Sequence, residues 1–183
     1  MNQFLPQTIK LFKYYKLLGE RTFEQLNEDQ LTWTPSEDSN SIAILVNHLA
    51  GNMLSRWTNF LTEDGEKPWR NRDHEFEDEI HSKEELDKRW DLGWNCLLAT
   101  LESLSEEDLN KTIYIRQEGQ SVTDAIQRQL AHYASHIGQI ILLGKIQKGP
   151  NWQSLSIPKG QSDAYNLKKS KTENQSGHFT ENL

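Results

Sequence analysis

The chain has 183 residues, with 20 Lys and Arg against 27 Asp and Glu, a formal charge of −7. One domain is the expectation at this length, and six Trp, six Phe and five Tyr supply large apolar bodies for its core. No window approaches the roughly 18 apolar residues of a membrane span, and the opening MNQFLPQTIKLFKYYK has no cationic stretch followed by an apolar one; a cytoplasmic protein without a signal peptide is expected.

A single cysteine, Cys96, excludes an internal disulfide framework and a four-cysteine zinc site. Between positions 63 and 91, twelve acids and six bases leave a net −6, so the remainder is close to neutral. No cluster of Lys and Arg of the kind that releases counterions from nucleic acid stands out, which disfavours DNA or RNA as a partner.

Helical periodicity dominates. In the first segment Leu5, Ile9, Phe12, Phe23 and Leu26 share one stripe, which predicts one amphipathic helix. In the acidic NEDQLTWTPSEDSNS that follows, Pro35 forbids helix continuation and Ser39, Asn40 or Ser41 offers the next N-cap. A second helix is predicted over 42–61, where Ile42, Leu45, Val46, Leu49, Met53, Trp57 and Phe60 recur three and four apart, with Gly65 and Pro68 ending the region. The connection EDGEKPWRNRDHEFEDEI exceeds the about 2 to 8 residues usual between bundle helices. It is therefore expected to cross the molecule or cover something, and to be functional.

Ser82-x-x-Glu85 reads as a capping box opening a third helix, whose stripe is Leu86, Trp90, Trp94, Leu97, Leu101 and Leu104, with Cys96 beside it. SEEDLNKTIYIRQEG reads as a short helical turn, an alternating strand TIYIR and a turn at Gly119. A fourth helix is predicted to begin at Ser121, with the Asp124 carboxylate complementing the helix start, and to run to Lys148, where Gly149-Pro150 stops it. Its core stripe is Val122, Ile126, Leu130, Tyr133, Ile137 and Ile140. Further on, Trp152, Leu155, Ile157 and Tyr165 are expected to dock on the body, and 167–183 reads as a weakly structured polar tail. Four amphipathic helices with two long connections predict an all-α four-helix bundle spanning 1–166.

The strongest chemical signal is His132 with His136. Two imidazoles four apart project from one helix face and can chelate one ion. The intervening Tyr133, Ala134 and Ser135 exclude the metalloprotease HExxH motif and its glutamate base. A third ligand is needed, and His48, inside the second apolar helix, is the buried histidine among the rest; His74, His81 and His178 lie in acidic or polar surroundings. A packed or solvated role for any of these rings stays open.

Other groups are secondary. Trp69, Arg70 and Arg72 can form a lid with cations for an anionic thiol or carboxylate, or the arginines can pair with Asp73, Glu75 and Glu77. Trp152, Ser154, Ser156 and Lys159 can close another side of a pocket or merely tie the C-terminal segment down. Cys96 reads as an inert core thiol more readily than a reactive one. Gly138 to Lys145 fails as a phosphate loop in its glycine spacing, and Ser156-x-x-Lys159 lacks the partner motifs of a serine acyl-enzyme.

The runs NSIAILVNHLAGNMLSRWTNFL and IQRQLAHYASHIGQIILLGK, with GEKPWRNRD at 65–73 and NWQSLSIPKG at 151–160, are similar to the DinB/YfiT-like superfamily, and more closely to a bacterial subgroup sharing the last two motifs. The similarity extends over about residues 5 to 166. It implies a four-helix bundle, often a homodimer, in which His48, His132 and His136 bind a divalent metal. Several relatives are transferases acting on low-molecular-weight thiols. Three neutral imidazoles leave an ion its full charge and an open position, where a thiol ionises or a water is acidified. Zn²⁺ is the first expectation and Ni²⁺ the second. The leading expectation is thus a metal-dependent transferase joining a small-molecule thiol to an electrophile. A metal-dependent hydrolase or a non-catalytic dimeric scaffold are the alternatives.

Overall fold

The computed structural model describes residues 3–77, 79–171 and 178–182. Four long helices carry the core: α1 (Phe4–Phe23), α3 (Ile42–Trp57), α4 (Lys83–Ser103) and α5 (Val122–Lys148). A short α2 (Glu28–Thr32), a hairpin of β1 (Thr112–Ile115) and β2 (Glu118–Ser121), and α6 (Ser162–Ser170) complete the regular elements. The chain is an all-α helical bundle. In it α3 packs on α4 and α5, and α1 packs on α5 and α4.

The first stripe breaks where one helix was expected. α1 stops at Phe23, and Leu26 is buried in the turn that follows, its N–H on the Phe23 carbonyl. Asn27 then restarts the chain as α2: its Oδ1 accepts from Gln30 N–H at 3.0 Å while Gln30 Oε1 accepts from Asn27 N–H at 3.1 Å. Among the three candidate caps before α3 it is Ser41 whose side chain accepts from Ile44 N–H. α3 ends four residues before the expected Leu61, because Thr58 turns extended and Asn59 adopts a left-handed φ of 50°. Asn tolerates that conformation better than most side chains.

α3 is buried almost all round, as a helix clamped between two neighbours must be. Phe12 of α1 meets Trp57 edge-on and Tyr133 at a tilt, with ring centroids 6.4 and 6.0 Å apart. Trp90 and Trp94 of α4 extend this aromatic core toward Phe23 and Tyr133. The predicted α4 stripe is buried from Leu86 to Leu101. Ser82 accepts from Glu85 N–H, and Glu85 Oε2 reaches back as far as His81 N–H at 2.9 Å.

The alternation in TIYIR forms β1, paired antiparallel to β2, but the turn is not at Gly119, which sits in β2 opposite Tyr114. It lies at Arg116 and Gln117, both left-handed with φ of 56° and 65°. Asp64 holds them there, its two carboxylate oxygens accepting the N–H groups of Arg116 and Gln117 at 2.8 Å each. α5 begins and ends as expected, capped by Ser121 and stopped at Gly149, whose φ of 52° suits glycine.

At the C-terminal side Trp152 and Leu155 are half-buried, whereas Ile157 and Tyr165 stay exposed and do not dock. α6 runs across residue 166 with no buried residue. The part of the expected tail at 172–177 and 183 lies outside the described residues; within 178–182, Phe179 sets its ring edge-on against Tyr14.

Candidate metal centre

His48 lies in the middle of α3 and His132 and His136 one turn apart on α5, so the packing of those two helices decides whether the rings meet. They meet. Each ring has a nitrogen within 4.8 Å of one on both others, and the ring centroids are 5.5, 5.1 and 4.6 Å apart. His48 is buried and the α5 pair half-buried.

The unused nitrogens are not equivalent. His48 Nδ1 lies 2.9 Å from Glu75 Oε2, and His136 Nδ1 lies 3.3 Å from Gln139 Oε1, which leaves Nε2 of each as the available ligand atom. His132 Nε2 is buried and has no protein partner. Burial, the neighbouring His136 and His48 rings and the Arg56 and Arg70 cations push His132 down to about 4 from its ordinary 6.5. Burial and His48 lower His136 as well, against a raising hydrogen bond that the ring donates to Gln139 Oε1. A neutral imidazole keeps the lone pair that a metal needs. The donor set, three nitrogens with no thiolate, fits a borderline divalent ion such as Zn²⁺ or Ni²⁺.

The 63–81 connection does cross the molecule. Its start is pinned near the C-terminal end of α3, where Ser55 Oγ donates to the Gly65 carbonyl at 2.7 Å and Arg56 binds the same carbonyl. It then runs back along α3, and a 3-10 turn at Asp73–Phe76 sets Glu75 and Phe76 against His48. Phe76 stacks on the His48 ring at 4.7 Å.

Arg70 is not a free cation for substrate. Its side chain is 2% exposed and forks onto Glu75, Nε to Oε1 at 2.7 Å and Nη2 to Oε2 at 2.8 Å. Of the neighbouring acids named as partners, it is Glu75 that binds. Arg72 is exposed with its guanidinium 5.2 Å from the Phe76 ring centre, and Trp69 is 58% exposed.

Trp152 packs near Gly144, eight residues beyond His136, about 12 Å along α5 at about 1.5 Å per residue. Gln25 holds the adjacent Gln153 backbone on both sides, so this segment ties the C-terminal side to the turn between α1 and α2 and does not close the histidine cluster. Cys96 is half-buried with its Sγ 3.7 Å from Thr58 Oγ1. His74 and His81 are exposed, and His178 Nδ1 bonds Thr180. His74 also forms an exposed group with Glu77 and Glu79.

Glu75 is the residue that sequence reasoning missed as a partner of the site. It is 27 positions from His48, and no local spacing connects them. The signal available was a segment too long and too charged for a simple connection.

Fold and site define the class as a helical bundle carrying a three-histidine cluster between two core helices. The chain belongs to the family described as Protein of unknown function (DUF1572), whose model matches residues 1–161. No curated protein matches the sequence. Among the described residues, no helix is long and apolar enough to cross a membrane.

Proposed function

We propose that this chain is a DinB/YfiT-like metal protein in which Nε2 of His48, His132 and His136 hold one divalent ion, Zn²⁺ or Ni²⁺, and that it transfers a low-molecular-weight thiol to an electrophile as a homodimer in the cytoplasm. The observation that carries the reading is Nε2 of His132, a buried nitrogen with no protein partner in a ring set against two further imidazoles whose Nδ1 atoms are engaged elsewhere. Buried polar atoms ordinarily find a partner, and ligating histidines ordinarily bond through their second nitrogen to a carboxylate or amide.

When bound, the ion supplies a Lewis acid with an open position at which a thiol is acidified. The chain's own residues do the rest. α3 and α5 hold the three rings at fixed separation, the low proton affinity of His132 keeps it in the ligating form, and Phe76 covers one face of His48. Tyr133, its phenol pushed up by burial, stays protonated and donates to Asn52 Oδ1, holding α5 to α3 behind the rings.

The test is metal content of tag-free protein by plasma mass spectrometry. Stoichiometric divalent metal in the wild type, lost in His132→Ala and His136→Ala, is expected; no metal in the wild type, or unchanged content in both variants, overturns the reading. Turnover of electrophiles with a small thiol then tests the transferase. Activity without any thiol assigns the hydrolase instead, and metal-dependent stability without turnover assigns the scaffold. Light scattering reads the dimer.

A further inference from the structure

We infer that Glu75, itself gripped by Arg70, is a positioning residue that fixes His48 in the tautomer and orientation that present Nε2 to the metal. The inference rests on the metal-binding reading above and adds to it the residues that prepare one ligand.

The contact is built from both sides. Glu75 Oε2 lies 2.9 Å from His48 Nδ1, with side-chain exposures of 8% and 5%. Arg70 holds both oxygens of the same carboxylate in a fork, which favours its ionised, acceptor-only form. An acceptor at that distance requires the ring to donate, so the proton of a neutral His48 sits on Nδ1 and the lone pair on Nε2. Phe76, the next residue, stacks on the ring face, so consecutive side chains of one 3-10 turn fix both the edge and the plane of the imidazole.

The backbone is shaped for this approach. Gly51 follows His48 by one turn of α3, and a Cβ there would overlap the Glu75 carboxylate. Asn47 donates to the Glu75 carbonyl at 3.4 Å and holds the turn on the helix. Asn47 also donates to Glu79 Oε2 at 3.3 Å, so the segment is already tied to α3 beside His48, and the bond to the ring nitrogen is additional to that anchor.

The double variant Arg70→Leu/Glu75→Leu tests this at nearly the same volume. A glutamine amide can turn its oxygen to Arg70 Nη2 and His48 Nδ1 together and keep the wild-type bond, so the acceptor is removed outright, together with its buried partner cation. Without an acceptor nothing holds the proton on Nδ1, and the ring is free to carry it on Nε2, the atom the metal needs.

Nitrogen-15 NMR of chelator-treated protein is expected to show His48 protonated on Nδ1 in the wild type and its proton shifted toward Nε2 in Arg70→Leu/Glu75→Leu. Zn²⁺ affinity, measured by competition with a chromophoric chelator, is expected to fall about 10- to 100-fold in the variant. The same tautomer in both proteins, or an unchanged Zn²⁺ affinity, overturns the inference. The wild-type spectrum needs no variant: His48 protonated on Nε2 in the metal-free protein also overturns it. A wild type that binds no Zn²⁺ refutes the metal reading alone, while the two spectra still decide whether Glu75 sets the His48 tautomer.

Discussion

Trp57 donates its indole N–H to the hydroxyl of Tyr133 at 3.0 Å, joining α3 to α5 in the middle of the core. That hydroxyl in turn donates to Asn52 Oδ1 at 3.0 Å. Asn52 is one turn from His48 and Tyr133 is adjacent to His132, so this chain of bonds sets the register that brings the histidines together. All three side chains are buried.

Tyr133→Phe keeps the ring and removes the hydroxyl, leaving the Trp57 N–H and Asn52 Oδ1 buried without it. An unsatisfied buried group costs about 1 to 3 kcal/mol. Urea denaturation is expected to show a loss in that range with an unchanged m-value. A variant as stable as the wild type would mean that the bonds do not hold the two helices.

Gly51→Ala places a methyl where the Glu75 carboxylate lies against α3. Neither the helix backbone nor a carboxylate forked by Arg70 can move freely, so overpacking of about 1 to 3 kcal/mol is expected even though alanine favours helix by up to about 1 kcal/mol. The measurable signature is faster proteolysis in the 66–80 segment at unchanged helix content. Stabilisation would show that the segment yields at no cost.

The metal-free protein is expected to lose stability as pH falls from about 6.5 toward 4. His132 titrates near 4 when folded against 6.5 ordinarily, and His136 is also lowered, so between those values the unfolded chain binds more protons than the folded one. Stability then rises with pH through this window and is fully present above it. The neighbouring Arg56 and Arg70 stay cationic throughout. Glu75 adds a lower window: burial pushes its carboxyl up, but Arg70 and His48 outweigh this and hold it below its ordinary 4.5, so its contribution is lost only as pH falls below about that value. Thermal melts across pH 4 to 7 read the slope, and His132→Asn should flatten the upper window.

Gln117 sits at φ 65° in the hairpin turn, where a side chain is strained and glycine is not. Gln117→Gly is expected to raise stability by about 0.5 to 1 kcal/mol, because the backbone N–H that Asp64 accepts is retained. A drop in the denaturation midpoint would show that the unfolded-chain entropy of glycine outweighs the strain relieved.

The four long helices were legible because their information is local. A stripe repeating every three to four residues, a serine at the start of α3, α4 and α5, and glycine at the end of α5 act within one or two turns. So was the pairing of His132 with His136, since helix geometry alone stacks positions four apart. The short α2 was also written locally, in Asn27-x-x-Gln30, but the longer hydrophobic stripe overrode it. The hairpin turn was not local: glycine signalled Gly119, whereas Asp64, 52 residues before Arg116, draws the strained turn to Arg116 and Gln117.

The amino-acid sequence by itself determined an all-α bundle and put three histidines on two of its core helices, because periodicity and capping need no knowledge of what lies across the core. Only the tertiary structure decided that the three rings converge, that Arg70 is spent on Glu75, and that Glu75 faces His48. Those relations join residues 5, 27 and 84 positions apart, and their strength comes from burial, which exists only once α3, α5 and the 63–81 connection have packed.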